Sequence, residues 1–219
     1  MTDEEKFQNM AAQLCKPSGE EGMKTAEWMA NGNVHIIRDA IEILNAEADD
    51  NILEIGMANG FYVNEILDKF AGIQYTGCDF SPMMVEAAKK LNADAVAMGR
   101  VKFILADIIS LPFESNTFNK VFTVNTIYFW DDETAALKEI RRILQPNGQF
   151  IIAFRPKHQS EKYPFTKYGF NQFTKSDVTA LLSANGFMVT GNYENTEPDF
   201  DLRGQIINME NVVVAAKKI

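Results

Sequence analysis

Glu54, Gly56, Ala58 and Gly60 lie in one short stretch, from Asn51 through Ile52-Leu53-Glu54-Ile55-Gly56-Met57-Ala58-Asn59 to Gly60. Ile52, Leu53 and Ile55 read as a buried strand, and Phe61 to Phe70 reads as the helix after it. A buried parallel strand that turns tightly into a helix leaves backbone N–H groups pointing outward at the carboxyl edge of a sheet, a ready site for a nucleotide. The dinucleotide fingerprint needs Gly-x-Gly-x-x-Gly. Here Gly56 is followed by Ala58 and Phe61, so two of those glycines are missing. The spacing present is acid-x-Gly-x-x-x-Gly, carried by Glu54, Gly56 and Gly60.

Two more carboxylates stand where strands should end. Asp79 closes a second strand, 25 positions after Glu54, in the run Cys78-Asp79-Phe80-Ser81-Pro82-Met83-Met84. In a doubly wound sheet its carboxylate sits beside the first turn, where an acceptor-only group can take both hydroxyls of a ribose diol. The competing role is a cap for the helix that begins at Ser81. Asp107 closes a third strand at the same edge, in Leu105-Ala106-Asp107-Ile108. It is a suitable acceptor for the exocyclic amine of adenine, with Ile108 offering a backbone N–H and an apolar surface to the ring; the alternative is a solvated strand-end acid. Strand four ends at Asn125, opposite the glycine turn, and Ile127-Tyr128-Phe129-Trp130-Asp131 follows.

The elements that must position these groups alternate strand and helix from residue 51 onward, the pattern of an α/β sheet. Strands are predicted at 51–55, 74–79, 101–105, 119–125, 149–154, 187–193 and 209–216. Ser81 followed by Pro82 marks a helix start, with Met84, Ala88 and Leu91 as its inner face. Asp132 caps the helix carrying Leu137, Ile140 and Leu144, and Pro146-Asn147-Gly148 stops it. Residues 1–47 form a helical prelude broken at Lys16-Pro17-Ser18-Gly19 and at Asn31-Gly32-Asn33, after which Ile37, Ile41 and Leu44 recur at a helical period. The long irregular connection 155–173 holds Tyr163, Phe165, Tyr168, Phe170 and Phe173, and connections of that length usually carry function. An acidic loop with Glu194, Glu197, Asp199 and Asp201 joins the last two strands. The reading is therefore two parts, an N-terminal helical cap over 1–47 and a ligand-binding domain over 48–219.

The totals narrow the class. With 219 residues, 46% of them hydrophobic, the chain suits one α/β domain with a cap. A net charge of −9 gives no long-range attraction for a polyanion, so no nucleic-acid partner is expected. Cys15 and Cys78 are too few for a disulfide framework and fit a reduced, cytoplasmic protein. No apolar run approaches the roughly 20 residues of a membrane span, and no cluster of His, Asp or Glu suggests a metal. Oligomeric state is left open.

In order, these segments resemble the motifs of class I S-adenosylmethionine-dependent methyltransferases, in particular the small-molecule branch called methyltransferase type 11. The acid-x-Gly-x-x-x-Gly turn is similar to the family's first motif, with Ala58 where a third glycine is usual. Asp79-Phe80-Ser81-Pro82-Met83-Met84 resembles the second, Asp107 with Leu111-Pro112-Phe113 the third, and Leu137-Lys138-Glu139-Ile140-Arg141-Arg142-Ile143-Leu144-Gln145-Pro146-Asn147-Gly148 a scaffold helix. Ala184-Asn185-Gly186-Phe187 resembles the family's entry to its sixth strand. The resemblance implies a Rossmann-like, seven-stranded, doubly wound α/β sheet with its last strand inserted antiparallel. It implies S-adenosylmethionine as cofactor, bound by Glu54, Gly56, Ala58, Gly60, Asp79, Phe80, Met83, Asp107, Ile108 and Asn125. The acid at 79 would hold the ribose, Phe80 and Met83 would line the adenosine, and Asp107 would meet the adenine amine. The segment at 124–132 would flank the methionine part and open onto a small-molecule methyl acceptor; it lacks Asn-Pro-Pro-Tyr, against methylation of base amines.

Methyl transfer from a sulfonium is an in-line displacement in which the protein orients, excludes water and, where needed, removes a proton. The candidates for that last task are Tyr128, His158, His35 and Tyr62. The rings at 128–130 can also lie against the sulfonium, an attraction worth roughly 0.5–2 kcal/mol. Two other classes compete: a degenerate or partner-dependent S-adenosylmethionine-binding subunit, which Ala58 favours, and an NAD(P)-binding oxidoreductase, which the glycine spacing disfavours. Ala58 bears on the first directly, because its methyl is harmless at negative φ and costs about 1 kcal/mol or more at positive φ.

Overall fold

The computed structural model describes residues 1–198, 200–202 and 205–219, the side chains of 200–202 and 205–207 excepted; Asp199 and the side chain of Asp201, from the acidic loop, lie outside the described residues. The chain opens with three helices, α1 (Asp3–Cys15), α2 (Gly19–Gly32) and α3 (Val34–Leu44). Then follow β1 (Asn51–Ile55), α4 (Val63–Lys69), β2 (Gln74–Asp79), α5 (Pro82–Leu91), α6 (Ala93–Ala97) and β3 (Val101–Leu105). Next come β4 (Phe118–Val124), α7 (Glu133–Ile143), β5 (Leu144–Phe154), α8 (Lys157–Ser160) and α9 (Lys175–Ala184). The chain ends with β6 (Phe187–Thr196), the small hairpin β7 (Phe200–Leu202) and β8 (Gln205–Ile207), and β9 (Glu210–Lys218).

Seven strands form one sheet in the order β3-β2-β1-β4-β5-β9-β6. The pairs from β3 to β5 are parallel, and β9 is inserted antiparallel between β5 and β6. This is the doubly wound sheet the sequence predicts. The chain reverses its winding direction between β1 and β4, so the loops after those strands diverge and open a crevice at the carboxyl edge.

Alternate residues of each strand feed two cores. Leu53, Phe150, Ile152 and Val214 pack with Leu137 and Ile140 of α7 and with Val178 and Leu182 of α9. On the other face, Ile52, Phe122, Ile151 and Val213 pack with Ile66 and Leu67 of α4 and with Ile36, Ala40, Ile41 and Leu44 of α3. Helix α3 is thus part of the sheet's own helical layer, while α1 and α2 lie beyond it.

Local chemistry sets several boundaries. Ser81 caps α5 by accepting from Met84 N at 3.4 Å, with Pro82 in the first turn, and Asp132 caps α7 by accepting from Ala135 N at 2.8 Å. Strand β4 stops at Val124, one residue earlier than predicted, because Asn125 takes φ +56° and cannot continue a strand. Helix α7 ends at Ile143, not at Pro146. Leu144 is already extended and pairs with Phe118, and Asn147 at φ +63° makes an irregularity inside β5. Leu91, expected on the inner face of α5, is 51% exposed, since the helix ends there and α6 begins after Asn92.

Candidate functional site

The crevice at the carboxyl edge is a cavity, and its floor is the turn after β1. Gly56 has φ +77°, and a Cβ there would stand 2.3 Å from Thr126 Cγ2, so neither the backbone angle nor the space admits a side chain. Gly60 has φ +65°, with Asn92 Nδ2 3.0 Å and Ala88 Cβ 3.1 Å from where a Cβ would be. Ala58 also lies in the left-handed region, at φ +51°, so its methyl is strained.

Asp79 ties this turn to the next helix. Its Oδ2 accepts from Ala58 N at 3.0 Å and its Oδ1 from Ser81 N at 2.9 Å. It therefore does cap the start of α5, while each oxygen keeps a further lone pair toward the cavity it lines. Burial pushes its carboxyl up, and the backbone N–H groups of Ser81, Ala58 and Phe80 oppose that. Glu54 sits deeper, accepting from Tyr75 Oη at 2.5 Å. Burial raises its carboxyl to about 7, against the hydrogen bond from Tyr75.

Asp107 and Ile108 line the cavity beyond Asp79; Asp107 Oδ1 accepts from Ile109 N at 3.2 Å. Phe80 also lines it, with Lys16 Nζ 4.9 Å from its ring centroid on the outside. Asn125 lines the opposite wall, its Oδ1 accepting from Tyr128 Oη at 3.0 Å and its Nδ2 donating to Asn33 Oδ1 at 3.1 Å. Of the ten residues expected to bind cofactor, nine meet at this cavity and Met83 does not. Met84, a full helical step round α5, lines it instead, while Met83 reaches outward to within 2.6 Å of where a Cβ on Gly22 would lie. The glycine at 22 is what lets α2 approach there.

The cavity carries four carboxylates, Glu54, Asp79, Asp107 and Asp131, and no Lys, Arg or His side chain among its described lining residues. A pyrophosphate would meet only like charge here, whereas a sulfonium with an ammonium group meets opposite charge. With the free lone pairs of Asp79 and the side-chain-free turn, this donor set fits S-adenosylmethionine and fits a dinucleotide poorly. Residues 53–152 match the model of a methyltransferase domain. Those residues form a methyltransferase domain, and across it the chain is similar to the class I S-adenosylmethionine-dependent methyltransferases.

This methyltransferase is 26% identical over 174 residues to the methyltransferase YdaC of Bacillus subtilis, an alignment covering 80% of this chain and 92% of that one. It is 34% identical over 119 residues to YrhH of the same organism, covering 54% of this chain and 63% of that one. Among solved structures, its fold is similar to that of a methyltransferase solved in complex with the Haloferax volcanii Trm112 methyltransferase activator. The TM-score is 0.77 at 18% identity, over 88% of this chain and 92% of that one.

The candidates for proton removal are differently placed. Tyr128 is buried. Its hydroxyl accepts from Arg155 N at 2.5 Å and faces Asn125 Oδ1 and Arg155 O, and burial pushes its pKa well up. Tyr62 is on the cavity wall, but its hydroxyl donates to Ala30 O at 2.7 Å. His158 is exposed and pairs through Nε2 with Glu210 Oε2 at 2.8 Å, and neither it nor His35 lines the cavity. Phe129 and Trp130 line it where Tyr128 does not, because the single 3-10 turn Ile127–Phe129 turns Tyr128 inward.

The cavity's other wall is the cap, which motif reading did not reach: Leu14, Cys15 and Pro17 from α1 and its linker, and Ala26, Met29, Ala30 and Asn33 from α2 and its end. The sequence signals were the helical cap expected over 1–47 and the breaks at Pro17 and at Asn31-Gly32-Asn33. Among the described residues no three His, Cys, Asp or Glu side chains converge as metal ligands, and no helix is long and apolar enough to cross a membrane.

Proposed function

We propose that this methyltransferase moves the methyl group of S-adenosylmethionine to a small neutral or cationic molecule by in-line displacement, without a metal. The observation that carries the reading is the cavity itself: an acidic, cation-free lining closed on one side by the glycine turn and on the other by apolar cap residues. When bound, the cofactor supplies the activated methyl group, and the chain's residues bind, orient and exclude water. Gly56, Ala58 and Gly60 give the methionine part its backbone floor, with Glu54 beneath. Asp79 takes the ribose hydroxyls, Phe80, Ile108 and the α5 methionine face the adenosine, Asp107 takes the adenine amine, and Asn125 borders the transferring group. Phe129 and Trp130 offer ring faces to positive charge.

Among the described residues no histidine or lysine faces this space, and its bases are the carboxylates named above. The hydroxyls of Tyr62 and Tyr128 are committed, and the Cys15 thiol is raised by burial and by Asp131. The acceptor is accordingly one whose nucleophile sheds its proton with little help. Residues 1–47 act as the cap and 48–219 as the donor-binding domain, with α3 serving both.

Titration with S-adenosylmethionine, S-adenosylhomocysteine and NADH tests this, repeated on Asp79→Ala. Micromolar binding of both adenosyl ligands, lost in the variant, is expected; binding of NADH alone overturns it. A second reading, dependence on a partner subunit, draws on the neighbour solved with an activator. Donor binding without turnover of any amine, phenol or thiol by the lone chain would favour that reading.

A further inference from the structure

The last turn of α2 ends in carbonyl groups that no following helical turn can satisfy. Three loops of the sheet's carboxyl edge meet that turn. From the loop after β1, Tyr62 Oη donates to Ala30 O at 2.7 Å. From the loop after β4, Asn125 Nδ2 donates to Asn33 Oδ1 at 3.1 Å. From the end of β5, Arg155 Nη2 donates to Gly32 O at 3.3 Å. The Arg155 side chain is 9% exposed and is itself held by a fork to Glu197, at 2.8 and 3.2 Å, and by Glu210 O. Asn211 Nδ2 links the same carboxylate, at 3.0 Å, to Asp39 of α3, at 2.9 Å. Tyr128 joins the contacts into one network, since its hydroxyl touches both Asn125 and Arg155 N.

We propose that Arg155 and Tyr62 are positioning residues that cap α2 from the sheet edge and so fix the cap wall of the acceptor chamber over the donor site. A guanidinium at the carboxyl end of a helix meets both the free carbonyls and the negative end of the dipole. Its buried pairing with Glu197 leaves it no other place to turn, because freeing either partner strands a charge. Tyr62 follows the turn after β1, and Met29, Ala30 and Asn33, at or beside these contacts, line the same cavity. The wall and the donor floor are therefore one mechanical unit. The role given to the chamber rests on the methyltransferase reading above; the capping itself does not.

Amide exchange of residues 27–33 and stopped-flow binding of S-adenosylhomocysteine test the proposal on the full chain. The variants are Tyr62→Phe, Arg155→Lys and Arg155→Met. Tyr62→Phe removes one oxygen and keeps the ring. It should speed exchange in the last turn of α2 by about fivefold, the worth of one net hydrogen bond, with exchange in β1 and β4 unchanged. The dissociation rate of S-adenosylhomocysteine should rise with it, at an unchanged association rate. Arg155→Lys should fall between wild type and Arg155→Met in both measurements. Unchanged exchange at 27–33, or equal acceleration through the sheet, overturns the capping role. Faster exchange with an unaltered dissociation rate overturns the positioning role. Failure of wild type to bind S-adenosylhomocysteine at all strikes the donor assignment, and the exchange arm still decides the cap.

Discussion

The two walls of the cavity are built by opposite means. The wall at the sheet edge is local: within seven residues, Glu54 to Gly60, two glycines and an alanine take positive φ, and one carboxylate from the neighbouring strand ties the turn. The cap wall is global. Its helices α1 and α2 are held at their ends by partners far away in sequence, Tyr62, Asn125, Arg155 and Ser81, the last donating to Pro17 O at 2.8 Å. A local device tolerates little change inside it, whereas a global one loses contacts gradually.

If that contrast holds, the sharpest break comes from Gly56→Ala. The Cβ is driven into Thr126 at a backbone angle that opposes it, so stability should fall by about 2–4 kcal/mol and S-adenosylhomocysteine binding should be lost. Thermal melting and calorimetric titration read the two effects; normal binding would show that the turn is not the donor floor. The matching attack on the cap is deletion of residues 1–30, which removes most of one wall and leaves α3 in the sheet's layer. Donor affinity should drop roughly tenfold while a cooperative melt survives. Unchanged affinity and turnover would show that the cap encloses nothing.

Glu54 gives a pH-dependent test. Burial raises its carboxyl from 4.5 to about 7, so the fold favours the protonated form, and stability declines as pH rises through that window and is level above it. Glu54→Gln should match wild type near pH 4.5 and be more stable by on the order of 2–3 kcal/mol at pH 8. Denaturant melts at the two pH values decide it, and parallel pH curves would sink the claim. The smallest effect is Ala58→Gly, which relieves a methyl at φ +51° and should stabilise the folded chain by up to about 1 kcal/mol, set against the greater freedom of glycine when unfolded. A destabilised variant would mean that the turn prefers its alanine.

Sequence reading went well where neighbouring residues decide the outcome, and poorly where they do not. The Ser81-Pro82 start and the Asp132 cap needed only local rules. Met83 and Met84 show the limit: helix periodicity says that one of two adjacent residues faces inward, but the approach of Gly22 of α2 decides where the other goes. The run Tyr128-Phe129-Trp130 announced a functional segment, yet one 3-10 turn chose which rings reach the cavity. Tyr62 and Tyr128 were plausible bases as residue types. Their hydroxyls are taken up by Ala30 and by Arg155, partners 32 and 27 positions away.

By itself the sequence determined the half of the cavity that the strand ends build. Glycines at left-handed angles and capping residues act on atoms a few bonds away, and a parallel sheet brings its strand-end acids to one edge in turn, so the pattern along the chain is nearly their arrangement in space. Only the tertiary structure decided the half that the N-terminal helices build. Which helix covers the crevice, and which side chains close it, follows from packing and hydrogen bonds between residues such as Gly32 and Arg155 that the linear pattern does not connect.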